Sequence, residues 1–462
     1  MKKSLLIISI ILVSLTAFSQ QNDKNSVFNE AYRPQFHFSP KENRMGNPIS
    51  IVKIDTVYHL YYQHNPDNLQ QGFVNWGHAT SSDLLHWKYD GLSITQPENE
   101  TDSMKFSPWW GSTTYNNGEV TAWYNSWTEG VFKSKSNDGL LFSKKEKIDD
   151  VDYTQCEPFV FWYAKTQKWI MVAYNRADST MNFLNSNQGS NWTKTSSFKY
   201  KFGFPTFIEL PVDGKTDDTR WMLLTEGGTY TLGKFDGEKF ELLTALRKYD
   251  NGRSVGGTIC FNDESKNRTI IMSGLSSEQH PDLPSNGQLT FPSAISLHEF
   301  ATGVELVRHP IDEIKSLYKK IYEWNGEKIY PGISNNLLSR VKETSFYLKG
   351  VIDLKNCDQF GLMIRSDRER NGTDFNYSVL RQEFYTPGGK FNFKPLNNKV
   401  EIEMLVDRSS FEIYIDGGRY SVSSTFIPEE KNVKCEIYTI GGEIVIDHLE
   451  IHTLKSAWRD EK

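Results

Sequence analysis

From residue 50 to about 300 the chain alternates short aromatic or β-branched runs with Gly, Asn, Asp and Ser turns. Examples are "SIVKIDTVYHLYYQ", "GEVTAWYNS", "FVFWYAKTQKWIMVAY", "RWMLLTEG" and "RTIIMSG". Asn117-Gly118 and Asp236-Gly237 are hairpin signals, because Gly and Asn tolerate the positive φ of a tight turn. Helical periodicity is almost absent. So many short strands at even spacing predict a β-propeller or a large barrel. The full chain of 462 residues is too long for one small core and calls for a second unit.

The texture changes near residue 310. "PIDEIKSLYKKI" places Ile311, Ile314, Leu317 and Ile321 at three- and four-residue spacing, which predicts an amphipathic helix. Pro310 and Asp312 suit its first turn. Beyond it, "SFYLKGVIDL", "FGLMIRSD", "KVEIEMLVDRSSFEIYIDGG" and "GGEIVIDHLEIHTL" alternate strongly and predict a β-sandwich. The expected division is a propeller over 27–309, a helical linker over 310–324 and a sandwich over 325–462.

A net charge of −6 favours neither nucleic acid nor an anionic membrane surface as partner. Lys2 and Lys3 precede an apolar run from Leu5 to Leu15, followed by Ala17, Ser19 and Gln20. This is the pattern of a secretory signal peptide over 1–20, and the run is too short for a membrane span. No cysteine stands at its end, so a lipoprotein anchor is not expected and the mature chain is read as exported. The four cysteines are widely spread without a C-x-x-C, which argues against a metal cluster and leaves one disulfide open. No P-loop, dinucleotide fingerprint or zinc-protease motif is present, so no cofactor and no metal are expected.

"RPQFHFSP", "YHLYYQHNP", "NWGHATSSDLLHW", "FPSAISL" and "MLVDRSSFEIYIDGG" occur in this order. Together they closely resemble glycoside hydrolase family 32, the levanases, inulinases and invertases, from about residue 32 to 455. The resemblance implies a five-bladed propeller followed by a β-sandwich, with a fructose pocket on the propeller axis. It also implies three acidic residues in that pocket: a nucleophile in W-M-N-D-P-N-G, an Asp in R-D-P and an acid/base Glu in E-C-P.

Here the first motif reads "RMGNPIS", which puts Asn47 at the nucleophile position. The second resembles "QCEPFVFW", with Cys156 at the Arg and Glu157 at the Asp. The third resembles "KFGFPTFIEL", with Gly203 at the acid/base Glu. Retaining hydrolysis needs one carboxylate to attack and another to protonate the leaving oxygen. Asn47 presents a neutral amide and Gly203 has no proton to give. The family's double displacement is therefore expected to be lost, with Glu157 the one retained carboxylate. Glu209 lies six residues beyond Gly203, roughly 20 Å along a strand, too far to substitute. Asp83 reads as a turn residue, and Glu226 as a solvated strand end.

The sugar-binding positions survive better. Gln63 and Trp76 match pocket residues of the family, and "WWGST" places Trp110 and Ser112 where the pocket segment F-S-G-S would lie. "SVGGT" at Ser254–Thr258 replaces a bulkier family segment and predicts a wider or reshaped pocket. Two functions fit: an exported carbohydrate-binding protein that holds a fructan or other oligosaccharide without the family's hydrolysis, or a glycoside hydrolase with a rewired site and a different sugar. A scaffold for protein contacts is a third.

Overall fold

A computed structural model describes residues 28–458 apart from 96–106, 152–155, 277–279, 281–282, 333–336, 368 and 370. The signal-peptide reading of residues 1–20 lies outside the described residues. The described chain is almost entirely β.

Three antiparallel sheets come first. They are built on Asn43–Ile54 to Lys88–Ile94, Pro108–Asn116 to Glu146–Lys147, and Cys156–Tyr163 to Thr193–Lys199. A ten-stranded sheet follows, in which the Thr206–Val212 and Ser293–Phe300 strands meet at one pairing, Val212 with Leu297. The late segment Ser285–Asn286 pairs in parallel with Asn43 and Arg44, which ties the end of this unit to its beginning. The sheets stack through large side chains. Tyr61, Trp76, Tyr124 and Phe132 share one core, and Phe183, Phe207, Trp221 and Phe235 share another. Asn117 and Gly118 form the expected two-residue turn, with φ of 52° and 81° between paired Asn116 and Glu119.

The C-terminal unit is a six-stranded and a five-stranded sheet. Phe346, Phe360, Phe375, Phe411 and Ile413 fill the core they share. The expected helical linker over 310–324 is corrected here. Only Asp312–Leu317 turns, as a 3-10 helix, and Tyr318–Ile329 is a strand. Ile314 and Leu317 are buried as the period required, but Ile321 is 52% exposed. Pairing along the Ile444–Leu454 strand overrides the local helical pattern. All four cysteines are buried and free, so the disulfide left open by the sequence is not formed. Cys156 and Cys260 stand in different cores, and Cys357 and Cys435 share the sandwich core as separate side chains.

Two of the family-like motifs meet at the junction of the units. In "RPQFHFSP" the backbone N–H groups of Gln35 and Phe36 donate to the buried carboxylate of Asp407, from "VDRSSFE". His37 lies between Asp407 at 2.9 Å and Glu412 at 3.1 Å, all three without exposure. Burial alone would lower the His37 pKa, but hydrogen bonds and charge from both carboxylates raise it to about 9. A raised pKa means that this stabilisation is complete below the ordinary histidine value of 6.5 and is lost as pH rises through about 9. The expected loss is roughly 3 kcal/mol. Melting temperatures taken across this range should fall in the wild type, and His37→Gln should remove that pH-dependent component.

Candidate functional site

The strand carrying "RMGNPIS" leaves its ladder between Met45 and Pro48. Pro48 has no N–H to donate. The Asn47 N–H, released from the sheet, donates to Gln63 Oε1 at 3.0 Å. Gln63 in turn donates through Nε2 to the Trp109 carbonyl at 2.7 Å. The Asn47 amide oxygen accepts the Gly257 N–H at 2.8 Å. A Cβ at Gly256 or Gly274 would stand 2.3 or 2.6 Å from that oxygen. Of the wider or reshaped pocket expected from "SVGGT", the space beside Gly256 and Gly257 is already occupied. These glycines make the room that the Asn47 side chain fills.

Beside Asn47 lies an open cleft of about 280 Å³, lined among others by Arg44, Gln63, Trp109, Phe204 and Ser276. Of the four expected sugar-contact residues, Gln63 lines it. Trp76 is fully buried and its indole N–H donates to the Pro108 carbonyl at 3.0 Å. Trp110 is buried against Phe204, with ring centroids 4.5 Å apart. Ser112 accepts the Val160 N–H at 2.9 Å. None of these three lines the cleft, whereas the half-buried Trp109 does.

Glu157 is the second residue of the Cys156–Tyr163 strand and is fully buried. One carboxylate oxygen accepts from Arg176 Nε. The other accepts the Phe204 N–H at 2.7 Å. Burial pushes its pKa up to about 7, although the Arg176 charge and the Phe204 N–H oppose the rise. The Arg176 guanidinium lies over the Phe204 ring, 4.8 Å from its centroid. It also reaches Glu226 at 3.5 Å. Glu226 accepts the Gly203 N–H at 3.2 Å, and its own N–H donates to the Gly203 carbonyl at 3.1 Å.

Gly203 is thus enclosed by this ionic cluster. A Cβ there would lie 2.2 Å from Glu157 Oε2 and 2.9 Å from Arg176 Nη2. The expected departures at Asn47, Glu157 and Gly203 are physically linked to their surroundings. Glu226, expected to be a solvated strand end, is instead joined to Gly203 and Arg176. Arg176 had no sequence signal: it follows a strand in "YNRAD", outside every motif. Glu209 pairs with Lys165 at 2.9 Å, and Asp83 accepts the His86 N–H at 2.8 Å in a local turn.

A propeller unit with a cleft beside Asn47, joined to a sandwich, defines the propeller–sandwich class of proteins. The chain belongs to glycosyl hydrolases family 32. The family's N-terminal domain matches residues 37–310 and its C-terminal domain matches residues 313–453. A levanase of Bacillus subtilis is 27% identical, over 99% of this chain and 76% of its own. An extracellular exo-inulinase of Aspergillus niger is 22% identical, over 93% of this chain and 96% of its own. Among solved structures, exo-inulinase from Aspergillus awamori superposes with a TM-score of 0.84 at 20% identity, covering 93% of this chain and 100% of that one. Fructan 1-exohydrolase IIa from Cichorium intybus gives 0.79 at 18% identity, covering 93% and 98%.

Proposed function

We propose that this chain is an exported family-32 protein that binds a fructoside-type carbohydrate in the axial cleft without the family's retaining hydrolysis. The observation that carries this reading is the enclosure of Gly203 by Glu157, Arg176 and Glu226. A proton donor cannot be placed there without displacing that cluster. Asn47 offers an amide already committed to the Gly257 N–H. Gln63 and Trp109 keep a polar group and an aromatic ring on the cleft wall, as a sugar ring requires.

Five blades are part of the same proposal, with the boundary to the sandwich near residue 310. Support comes from the inner strands that begin at Asn43, Pro108, Cys156, Thr206 and Val255, since residues from all five border one common channel. Export rests on the N-terminal pattern and on the extracellular relative. Among the described residues, no helix is long and apolar enough to cross a membrane.

Calorimetry with fructo-oligosaccharides should give saturable heats, while levan, inulin and sucrose release no fructose. Robust fructose release would overturn the reading. A rewired hydrolase is the second reading, favoured by the part-exposed Glu226 carboxylate beside Gly203. Under it, turnover of some other glycoside would be abolished by Glu226→Gln.

A further inference from the structure

A second open cavity, of about 770 Å³, lies further along the Asn43–Ile54 strand from Asn47, beyond the cleft. Residues from all five inner strands border it, including Ile51, Tyr115, Phe161, Thr206 and Phe261. Its rim is unusual for this molecule. Four Phe, Tyr or Trp side chains are exposed among the described residues, and two of them, Trp162 at 47% and Tyr115 at 41%, stand here. Trp162 is held in place by Trp169, its cross-strand partner, with ring centroids 5.3 Å apart and planes at 67°. An edge-to-face pair of this kind fixes the ring and leaves a face to solvent.

The polar groups of the cavity are neutral with one exception. Ser50, Thr113, Thr114, Asn116, Asn187 and Asn262 supply hydroxyls and amides, and Glu264 supplies the single formal charge among the lining side chains. At the throat, Ser50 and Thr113 are hydrogen-bonded to each other at 2.9 Å. Rings that cover CH faces, next to amides and hydroxyls and almost without charge, match a neutral glycan. They do not match a nucleic acid or a charged peptide, which would need a cluster of opposite charge.

We propose that this cavity is a second carbohydrate-binding site, which engages a segment of a neutral polysaccharide through Trp162 and Tyr115. It is independent of the reading of the axial cleft, because no residue lines both cavities. The test is affinity electrophoresis of the full chain in gels containing levan or inulin, alongside calorimetry with a short fructo-oligosaccharide. Trp162→Ala should weaken retardation by about fivefold to tenfold, the scale of one lost aromatic contact. Tyr115→Ala should weaken it by a smaller factor. Gln63→Ala, in the axial cleft, should lower binding of the short oligosaccharide and leave a retardation that still depends on Trp162. Because both rim residues are exposed, circular dichroism of each variant should match the wild type. Equal retardation of wild type, Trp162→Ala and Tyr115→Ala, or retardation of none of them, overturns the proposal even if the axial cleft binds sugar.

Discussion

Arg308→Met is expected to lower the stability of the chain by about 3–5 kcal/mol, the cost of leaving buried charge without its partner. Arg308 is 1% exposed and lies 3.0 Å from Asp250 and 3.5 Å from Glu412, neither of which has any exposure. It also donates to the Ser423 hydroxyl at 2.9 Å. Ser423 in turn donates to Asp250, and its N–H reaches Asp250 at 2.9 Å. Asp250 belongs to the propeller unit, whereas Glu412 and Ser423 belong to the sandwich. Removing the guanidinium leaves Asp250 without a cationic partner in a place that water does not reach, while Glu412 keeps His37 and the Tyr414 hydroxyl. The comparison variant is Lys315→Met, whose partner Asp312 is 84% exposed. That change should stay within about 0.5 kcal/mol, as exposed ion pairs contribute little. Urea unfolding of both variants checks the contrast. An Arg308→Met chain within roughly 1 kcal/mol of wild type would mean that the network relaxes or admits water.

This junction shows how far the sequence could be read. "RPQFHFSP" and "MLVDRSSFEIYIDGG" were recognisable as motifs, yet their physical task was not. Hydrogen bonds from Gln35 and Phe36 to Asp407 join segments some 370 residues apart, and no local pattern announces such a pairing. The strands were legible because alternation and turn chemistry act over a few residues, as at Asn117-Gly118. The 310–321 segment misled for the same reason. Its apolar spacing is locally helical, but the edge of a sheet offered the Tyr318–Ile329 strand ten paired residues. At the site, Asn47, Glu157 and Gly203 were assigned from their flanking residues. Arg176, which ties Glu157 to Glu226 beside Gly203, was not. Its importance lies in where its side chain reaches across two strands, and a one-dimensional motif does not carry that information.

The same cluster sets the second large effect. Gly203→Glu should destabilise the chain by at least roughly 2–3 kcal/mol, the scale of severe overpacking. The new Cβ would meet Glu157 Oε2 at 2.2 Å. That oxygen cannot retreat freely, because the Phe204 N–H holds it at 2.7 Å while Arg176 holds its twin. The added carboxylate would also stand against two existing ones around a single guanidinium. Asn47→Asp should behave differently. Its carboxylate can keep accepting the Gly257 N–H, now at 2.8 Å, so the melting temperature should change little. Neither single variant, nor the pair, should release fructose from levan, inulin or sucrose. Fructose release by Asn47→Asp alone would show that an acid other than residue 203 can serve, with Glu226 the first to test. A Gly203→Glu chain that melts with the wild type would show the Glu157–Arg176 pair to be mobile. Positions 157 and 203 are therefore coupled through one ionic cluster, whereas Asn47 is held separately by Gln63 and Gly257. Glutamate at 203 and the Arg176-bound Glu157 compete for one volume, so a side chain at 203 fits only if Glu157 or Arg176 moves.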